Sequence, residues 1–322
     1  MKQVPIEVAQ HLFVFIEPPS VFRLRRLSKD IKAALDDPFF VRENLKVFLQ
    51  TNQGKSTTKH KANATLLDRV FLRLPPAYQV LYSEYALQHQ AAILWSRSSL
   101  NGKIPPALCS LPKLSYLCLD GNSLTGCIPK EIVQLRSLFC LDLRNNSLDG
   151  VIPPELGQLN HLERLHLDGN RFMGPLPSEL CGLIKLHYFS ASQNKLSGPI
   201  PPEFGDLVTL RSLNLAFNSL SGNLPTSIGR LVYLEQLVLN ENRIEGEIPQ
   251  EIQYASSLQV LNLGDNNLSG RVPHNLPELR HLMLVDLRNN QDLIKTLHFE
   301  STRRNERVLR LLMNQGFITL SK

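Results

Sequence analysis

One short pattern recurs every 24 residues through most of this 322-residue chain. Seven consecutive units from 114 to 281 read LxxLxLxxNxLxGxIPxxLxxLxx almost completely, and a weaker unit precedes them from Gln90. A fixed period of this length is typical of repeat proteins, in which each unit buries its apolar residues against its neighbours. The leucine that opens each unit stands at Leu114, Leu138, Leu162, Leu186, Leu210, Leu234, Leu258 and Leu282.

Each position of the unit has a physical reason to be there. The LxxLxL stretch predicts a short strand whose alternate leucines point into a core. The asparagine that follows, such as Asn146, is expected to bond buried backbone groups of its own coil and of the neighbouring coil. The glycine permits a turn that would strain other residues. The Ile-Pro step predicts an extended return segment, followed by a short helical turn on the outer side.

The unit with Gly-x-Ile-Pro resembles the plant-specific subclass of leucine-rich repeats, which is widespread in plant receptor ectodomains. The resemblance implies an α/β fold, namely a curved leucine-rich-repeat solenoid with 24-residue repeats and a parallel sheet on its concave face. A small all-α segment is expected to precede the solenoid. The predicted divisions are a helical segment at 1–50, a polar linker at 51–62, a helical N-terminal cap at 63–89, repeats at 90–296, and a C-terminal cap at 297–322.

The first forty residues do not repeat, and their order of features resembles an F-box. Val4-Pro5-Ile6-Glu7 opens the segment, Pro18-Pro19-Ser20 forms a turn, and Asp37-Pro38-Phe39-Phe40 closes it. An F-box implies binding to the Skp adaptor of a cullin ubiquitin ligase, here through Pro5, Val8, Leu12, Ile16 and Pro18. The usual opening leucine is Val4 and the common tryptophan is Ile31. The alternative is a helical piece that merely caps the solenoid.

Charge and composition argue against several classes of protein. The net charge of +6 comes from the two end segments, 1–62 and 295–322, which carry +5 and +4, so the repeats are slightly acidic. We therefore expect no nucleic-acid binding, because a nucleic-acid-binding protein would carry its positive charge on its main binding surface. The five cysteines are odd in number and contain no CxxC pair, so neither a disulfide framework nor a zinc site is expected. No cofactor is expected either.

The chain has no long apolar run. The stretch from Leu12 to Ile16 is shorter than the core of a signal peptide, and no run approaches the ~18 apolar residues of a membrane span. We therefore expect no transmembrane segment and an intracellular location, cytoplasmic or nuclear.

Binding is expected on the concave face, where the outward positions vary between repeats. Four of these residues, Arg144, Arg164, His166 and Tyr188, are predicted to cluster, because arginine and aromatic side chains are good interface anchors. An open sheet offers no pocket that excludes water, so an enzyme is not expected. The alternative is that these outward residues simply face the solvent and bind no partner. The full set of predicted partner contacts is Tyr116, Arg144, Arg164, His166, Asp168, Tyr188, Phe217 and Glu241.

Two functions therefore remain open. The first is a substrate-recognition subunit of a Skp–cullin–F-box ubiquitin ligase that binds its target on the concave face. The second is a scaffold or receptor-like protein that binds a ligand through its repeats without any link to a ubiquitin ligase.

Overall fold

The computed structural model describes residues 37, 40–44, 71–72, 76–294 and 306–315. The F-box contacts predicted above (Pro5, Val8, Leu12, Ile16 and Pro18) and the linker at 51–62 lie outside the described residues.

A nine-stranded parallel sheet runs the length of the repeats, with one strand from each unit in chain order. Adjacent strands pair in a register of one repeat, as where Leu117 lies opposite Leu141. The predicted leucine-rich-repeat solenoid is confirmed. The strands are β1 Ala92–Leu94, β3 Tyr116–Cys118, β5 Cys140–Asp142, β7 Arg164–His166, β9 Tyr188–Ser190, β11 Ser212–Asn214, β13 Gln236–Val238, β15 Val260–Asn262 and β17 Leu284–Asp286.

A second set of strands follows the asparagine of each unit, where the sequence predicted only a glycine turn. Residues after the asparagine pair in parallel with the coil before, as where Leu124 lies opposite Gly102. They form a three-stranded and a six-stranded sheet. These strands are β2 Asn101–Gly102, β4 Ser123–Gly126, β6 Ser147–Leu148, β8 Met173–Gly174, β10 Lys195–Gly198, β12 Ser219–Asn223, β14 Arg243–Glu247, β16 Asn267–Arg271 and β18 Asp292–Ile294.

A short 3-10 helix closes each coil on the outer side, as the sequence predicted. The proline of the Ile-Pro step immediately precedes most of these helices, and its extended backbone directs the chain into the turn. The helices span Pro106–Ser110, Lys130–Gln134, Pro154–Gln158, Ser178–Gly182, Pro202–Asp206, Thr226–Arg230, Gln250–Tyr254 and Leu276–Glu278.

The asparagines form a continuous ladder inside the solenoid. Asn170 shows the arrangement: its side-chain amide donates to the carbonyl oxygens of Leu143 and Leu167, and its oxygen accepts from the amide of Leu148. The same bonds recur one repeat away at Asn146. Because each asparagine joins two coils, the ladder fixes their spacing as well as satisfying buried backbone groups.

Aromatic side chains cover the N-terminal end of the solenoid. An α-helix, α1, spans Pro76–Tyr82 and continues as a π-helical turn over Ser83–Leu87. The ring of Phe71 lies 5.3 Å from that of Tyr82 and 6.2 Å from that of Trp95. Phe40 and Val41 belong to the same buried apolar cluster as Phe71 and the first coils.

A helix covers the other end. Helix α2, Glu306–Asn314, buries Val308, Leu309 and Leu312 against the last coil. Leu311 lies beside this buried face and is only half-buried. Just after α2, the Gln315 side chain bonds the backbone of β17.

Candidate functional site

The concave face is the side of the nine-stranded sheet that points away from the buried core. In each strand the middle residue is buried in the core, whereas the first and third residues point outward. Tyr116, Arg164 and Tyr188 hold the first position of β3, β7 and β9, and all three side chains are exposed. Strand alternation alone therefore brings three of the predicted contacts onto one surface.

These three residues and Phe139 form what we call the aromatic–arginine cluster. The guanidinium carbon of Arg164 lies 5.6 Å from the ring centroid of Tyr188 and 6.0 Å from that of Phe139. The ring of Phe139 in turn lies 5.4 Å from that of Tyr116. The cation is thus held between two aromatic faces, an arrangement that is favourable for a guanidinium.

Phe139 was missed by the sequence analysis, which considered only strand positions. It stands one residue before β5, and the equivalent positions of the flanking repeats are the polar residues Ser115, Glu163 and His187. A single large aromatic residue between polar residues of the flanking repeats is the signal that could have found it.

Arg144, which was predicted to cluster with Arg164, His166 and Tyr188, is paired with a carboxylate. Its Nε and Nη2 donate to Asp142 at 2.9 and 2.6 Å, in a bidentate pair. Asp142 is buried whereas Arg144 is partly exposed, and the carboxylate raises the pKa of Arg144. The same arrangement recurs at the far end of the sheet between Arg288 and Asp286, where it lowers the pKa of Asp286.

His166 and Asp168 lie on the same face beside the cluster. His166 pairs in register with Asp142 and Ser190 across the sheet, and its burial is the main reason why its pKa is lowered. Asp168 accepts hydrogen bonds from the hydroxyls of Ser190 and Ser192, the second at 2.6 Å, and from the amide of Ser192 at 3.0 Å. Asp168 is therefore held by its neighbours.

Phe217 and Glu241 are not strand residues, contrary to the expectation from sequence. Both lie in the turn after the strand, with a positive φ of 56°. The repeat needs this left-handed turn to place the next asparagine inward, and Gly121 and Gly169 occupy the same position elsewhere. Phe217 is exposed at the rim of the concave face.

Two cysteines also lie on this face between Tyr116 and Arg164. The interaction of the Cys118 thiol with Cys140 raises the pKa of Cys118 and lowers that of Cys140. Both are free thiols.

The part of the chain that the structure describes holds no group of three or more His, Cys, Asp or Glu residues placed to bind a metal ion. Within that same part, every helix is too short or too polar to cross a membrane.

Comparison of the sequence with protein families finds leucine-rich repeats over most of the solenoid. A leucine-rich repeat region matches residues 98–223, and single leucine-rich repeats match 233–255 and 257–279. No curated protein sequence matched the chain.

Solved structures of plant receptors share the fold. The ectodomain of GASSHO1/SCHENGEN3 from Arabidopsis thaliana, in complex with CASPARIAN STRIP INTEGRITY FACTOR 2, aligns with a TM-score of 0.64 and 35% identity over 77% of this chain. The Arabidopsis receptor kinase HAESA, in complex with the peptide hormone IDA and the co-receptor SERK1, is 40% identical over 62% of this chain, with a TM-score of 0.58. The alignments cover 28% and 33% of those receptor chains, so this chain corresponds to about a third of their length or less.

Proposed function

The chain belongs to the leucine-rich repeat proteins, and on that premise we propose that its concave face binds an extended segment of a partner protein. The aromatic–arginine cluster is the anchor of that surface. The observation that carries the proposal is the position of Arg164 between the rings of Phe139 and Tyr188 on an exposed part of the sheet.

The composition of the cluster suits an interface. Tyrosine and arginine are over-represented among the residues that contribute most to protein binding, because they combine apolar area with hydrogen-bonding groups. Tyr116 and Tyr188 keep 41% and 39% of their surface exposed, so a partner could still cover them. A solvated face with no partner would not need three aromatic rings beside one another.

The backbone beneath the cluster also suits recognition. β3, β5, β7 and β9 pair in one continuous ladder, and the asparagines fix the spacing of the coils. A site on paired strands loses little conformational entropy when a ligand binds, which favours affinity. The complex of HAESA with a peptide hormone supports the choice of a peptide as ligand.

Selection from a library of random linear twelve-residue peptides tests this proposal, with the full-length chain as bait. Selected peptides are then tested for binding to the Tyr188→Ala and Tyr254→Ala variants. Tyr254 is the matched control, because it is also an exposed tyrosine but belongs to an outer 3-10 helix. We expect the selected peptides to bind the Tyr188→Ala variant about tenfold or more weakly than the wild-type chain, as for an interface anchor. Peptides that depend on Tyr254 instead, or no enriched peptides, would overturn the proposal.

A second proposal concerns the first forty residues, whose motif order resembles an F-box. In this proposal the chain acts inside the cell, residues Pro5, Val8, Leu12, Ile16 and Pro18 bind a Skp adaptor, and the concave face selects a protein for ubiquitination. The motif order from Val4 to Phe40 is its support, and it is compatible with peptide binding on the concave face.

Direct binding of purified Skp adaptor to the full-length chain tests the second proposal. The matched variants are Leu12→Asp, within the predicted contact, and Leu94→Asp, at an exposed apolar residue of β1. We expect adaptor binding that Leu12→Asp abolishes and Leu94→Asp leaves unchanged. Absence of binding by a folded wild-type chain contradicts the F-box assignment and leaves the concave-face proposal intact.

A further inference from the structure

We infer that the segment bound on the concave face carries an acidic side chain, and that Arg164 binds its carboxylate between Phe139 and Tyr188. This inference rests on the proposed function and adds the chemistry of the ligand. It depends on which charges of this face are already engaged within the chain.

Arg164 differs from Arg144, Arg211 and Arg288, which lie on or beside the nine-stranded sheet and are each paired with an acid. Arg144 and Arg288 are each paired with an aspartate two residues earlier, at 2.6 and 2.7 Å. Arg211 is paired with Glu235 at 2.8 Å. In the described part of the chain Arg164 makes no ion pair, and its side chain is exposed. Its guanidinium donors remain available for an external carboxylate.

The carboxylates around Arg164 are engaged by other groups. Asp142 is held by Arg144, and Asp168 by the hydroxyls of Ser190 and Ser192. Glu163, the residue before Arg164, lies 3.3 Å from Nδ1 of His187. Asp120 accepts from Ser96. Hydrogen bonds or ion pairs thus occupy these acids, and in the described part of the chain Arg164 keeps its positive charge without an ion pair.

The two rings give that charge a defined position. Stacking on Phe139 and Tyr188 restricts the long arginine side chain before any ligand arrives, so less entropy is lost on binding. The side chain is still exposed, so a ligand can approach the edge of the guanidinium. A planar carboxylate fits that edge with two parallel hydrogen bonds. The neighbouring side chain of the ligand would lie against Tyr116 or Tyr188, so it should be apolar or aromatic.

Two random peptide libraries of equal length test the inference on the full-length chain. One library encodes Asp and Glu, and the other encodes Asn and Gln in their place. Selected peptides are measured against wild type, Arg164→Gln, Arg164→Lys and Arg230→Gln. Arg230 is the matched control, an exposed arginine paired with Asp206 on an outer 3-10 helix.

We expect the acidic library alone to give strong binders with a shared Asp or Glu beside an apolar residue. In a selected peptide, replacing that acid by its amide should weaken binding to the wild-type chain about tenfold. The same replacement should leave binding to the Arg164→Gln variant unchanged. Arg164→Lys should restore binding only in part, because lysine lacks the planar fork. Arg230→Gln should bind as wild type does.

The failures of the two proposals are distinguishable. Peptides that depend on Tyr188 but arise equally from the amide library would overturn the role of Arg164 and keep the concave face as the binding surface. Peptides that contain the shared acid but bind Arg164→Gln as well as wild type would overturn it too. Peptides that ignore both Tyr188 and Arg164 would overturn the proposed function itself.

Discussion

The side-chain oxygen of Asn170 accepts a hydrogen bond at 3.0 Å from the main-chain amide of Leu148, which belongs to the preceding coil. The same side chain donates to carbonyl oxygens of both coils, so one buried amide joins two repeats. The spacing of the asparagines in the sequence predicts this ladder, and the stability of the solenoid should depend on it.

Replacing Asn170 with alanine should lower the free energy of unfolding by about 2 kcal/mol, because buried backbone groups lose their partners. Urea denaturation followed by circular dichroism measures the change. Asn160→Ala is the control, since Asn160 is exposed beyond an outer 3-10 helix and should change stability by less than about 0.5 kcal/mol. Equal effects of the two substitutions would mean that the ladder contributes little.

Gly157 lies where the outer 3-10 helices of two coils touch. A Cβ atom at this position would lie 1.9 Å from the carbonyl oxygen of Glu179, a backbone atom that cannot rotate away. Gly157→Ala should therefore cost about 3 kcal/mol of stability by forcing the coils apart. At Gly264 the closest atom is a side-chain oxygen of Asp286 at 3.3 Å. Gly264→Ala should thus cost clearly less in the same denaturation experiment.

Gln315 completes the open edge of the last strand. Its Oε1 accepts from the amide of Leu287 at 2.9 Å, and its Nε2 donates to the carbonyl of Val285 at 2.6 Å, as a tenth strand would. Gln315→Ala should destabilise the chain by about 1 kcal/mol and speed hydrogen exchange at the Leu287 amide. Gln291→Ala, at a neighbouring exposed residue, should alter neither. Unchanged exchange at Leu287 in Gln315→Ala would contradict this role.

The burial of His166 predicts a pH dependence of stability. Because its pKa is lowered from 6.5 in the folded chain, the unfolded chain takes up the proton more readily. Its contribution to stability is complete above the unfolded pKa and falls as the pH drops below about 6.5. His166→Gln should therefore lose less stability than wild type between pH 7.5 and pH 5. An identical loss in both proteins would contradict the assignment.

Much of the fold follows from the repeat alone. The period fixed the register of the strands, and the asparagine, glycine and proline positions predicted the ladder, the turn and the outer helix. The second set of strands was missed because the glycine of each unit was interpreted as a turn, although β4 and most of its equivalents include that glycine. Their pairing comes from the stacking of neighbouring coils, which no single unit displays.

The site was only partly predictable. Tyr116, Arg164 and Tyr188 could be placed outward by strand alternation, but the partners of each side chain could not. Asp142 pairs with Arg144 through a two-residue spacing that the sequence does contain, whereas Phe139 contacts Arg164 on the neighbouring strand, 25 residues away in the chain. Contacts of the second kind depend on side-chain length and sheet twist, so they need coordinates.

Photo-crosslinking of a selected peptide tests the concave binding surface most directly. Benzoylphenylalanine is placed at Tyr116, within the cluster, or at Tyr254 on an outer 3-10 helix, in otherwise wild-type chains. Our account predicts that the peptide is captured at position 116 and not at position 254. Capture at position 254 with none at position 116 would contradict it, because the peptide would then lie on the outer side of the solenoid.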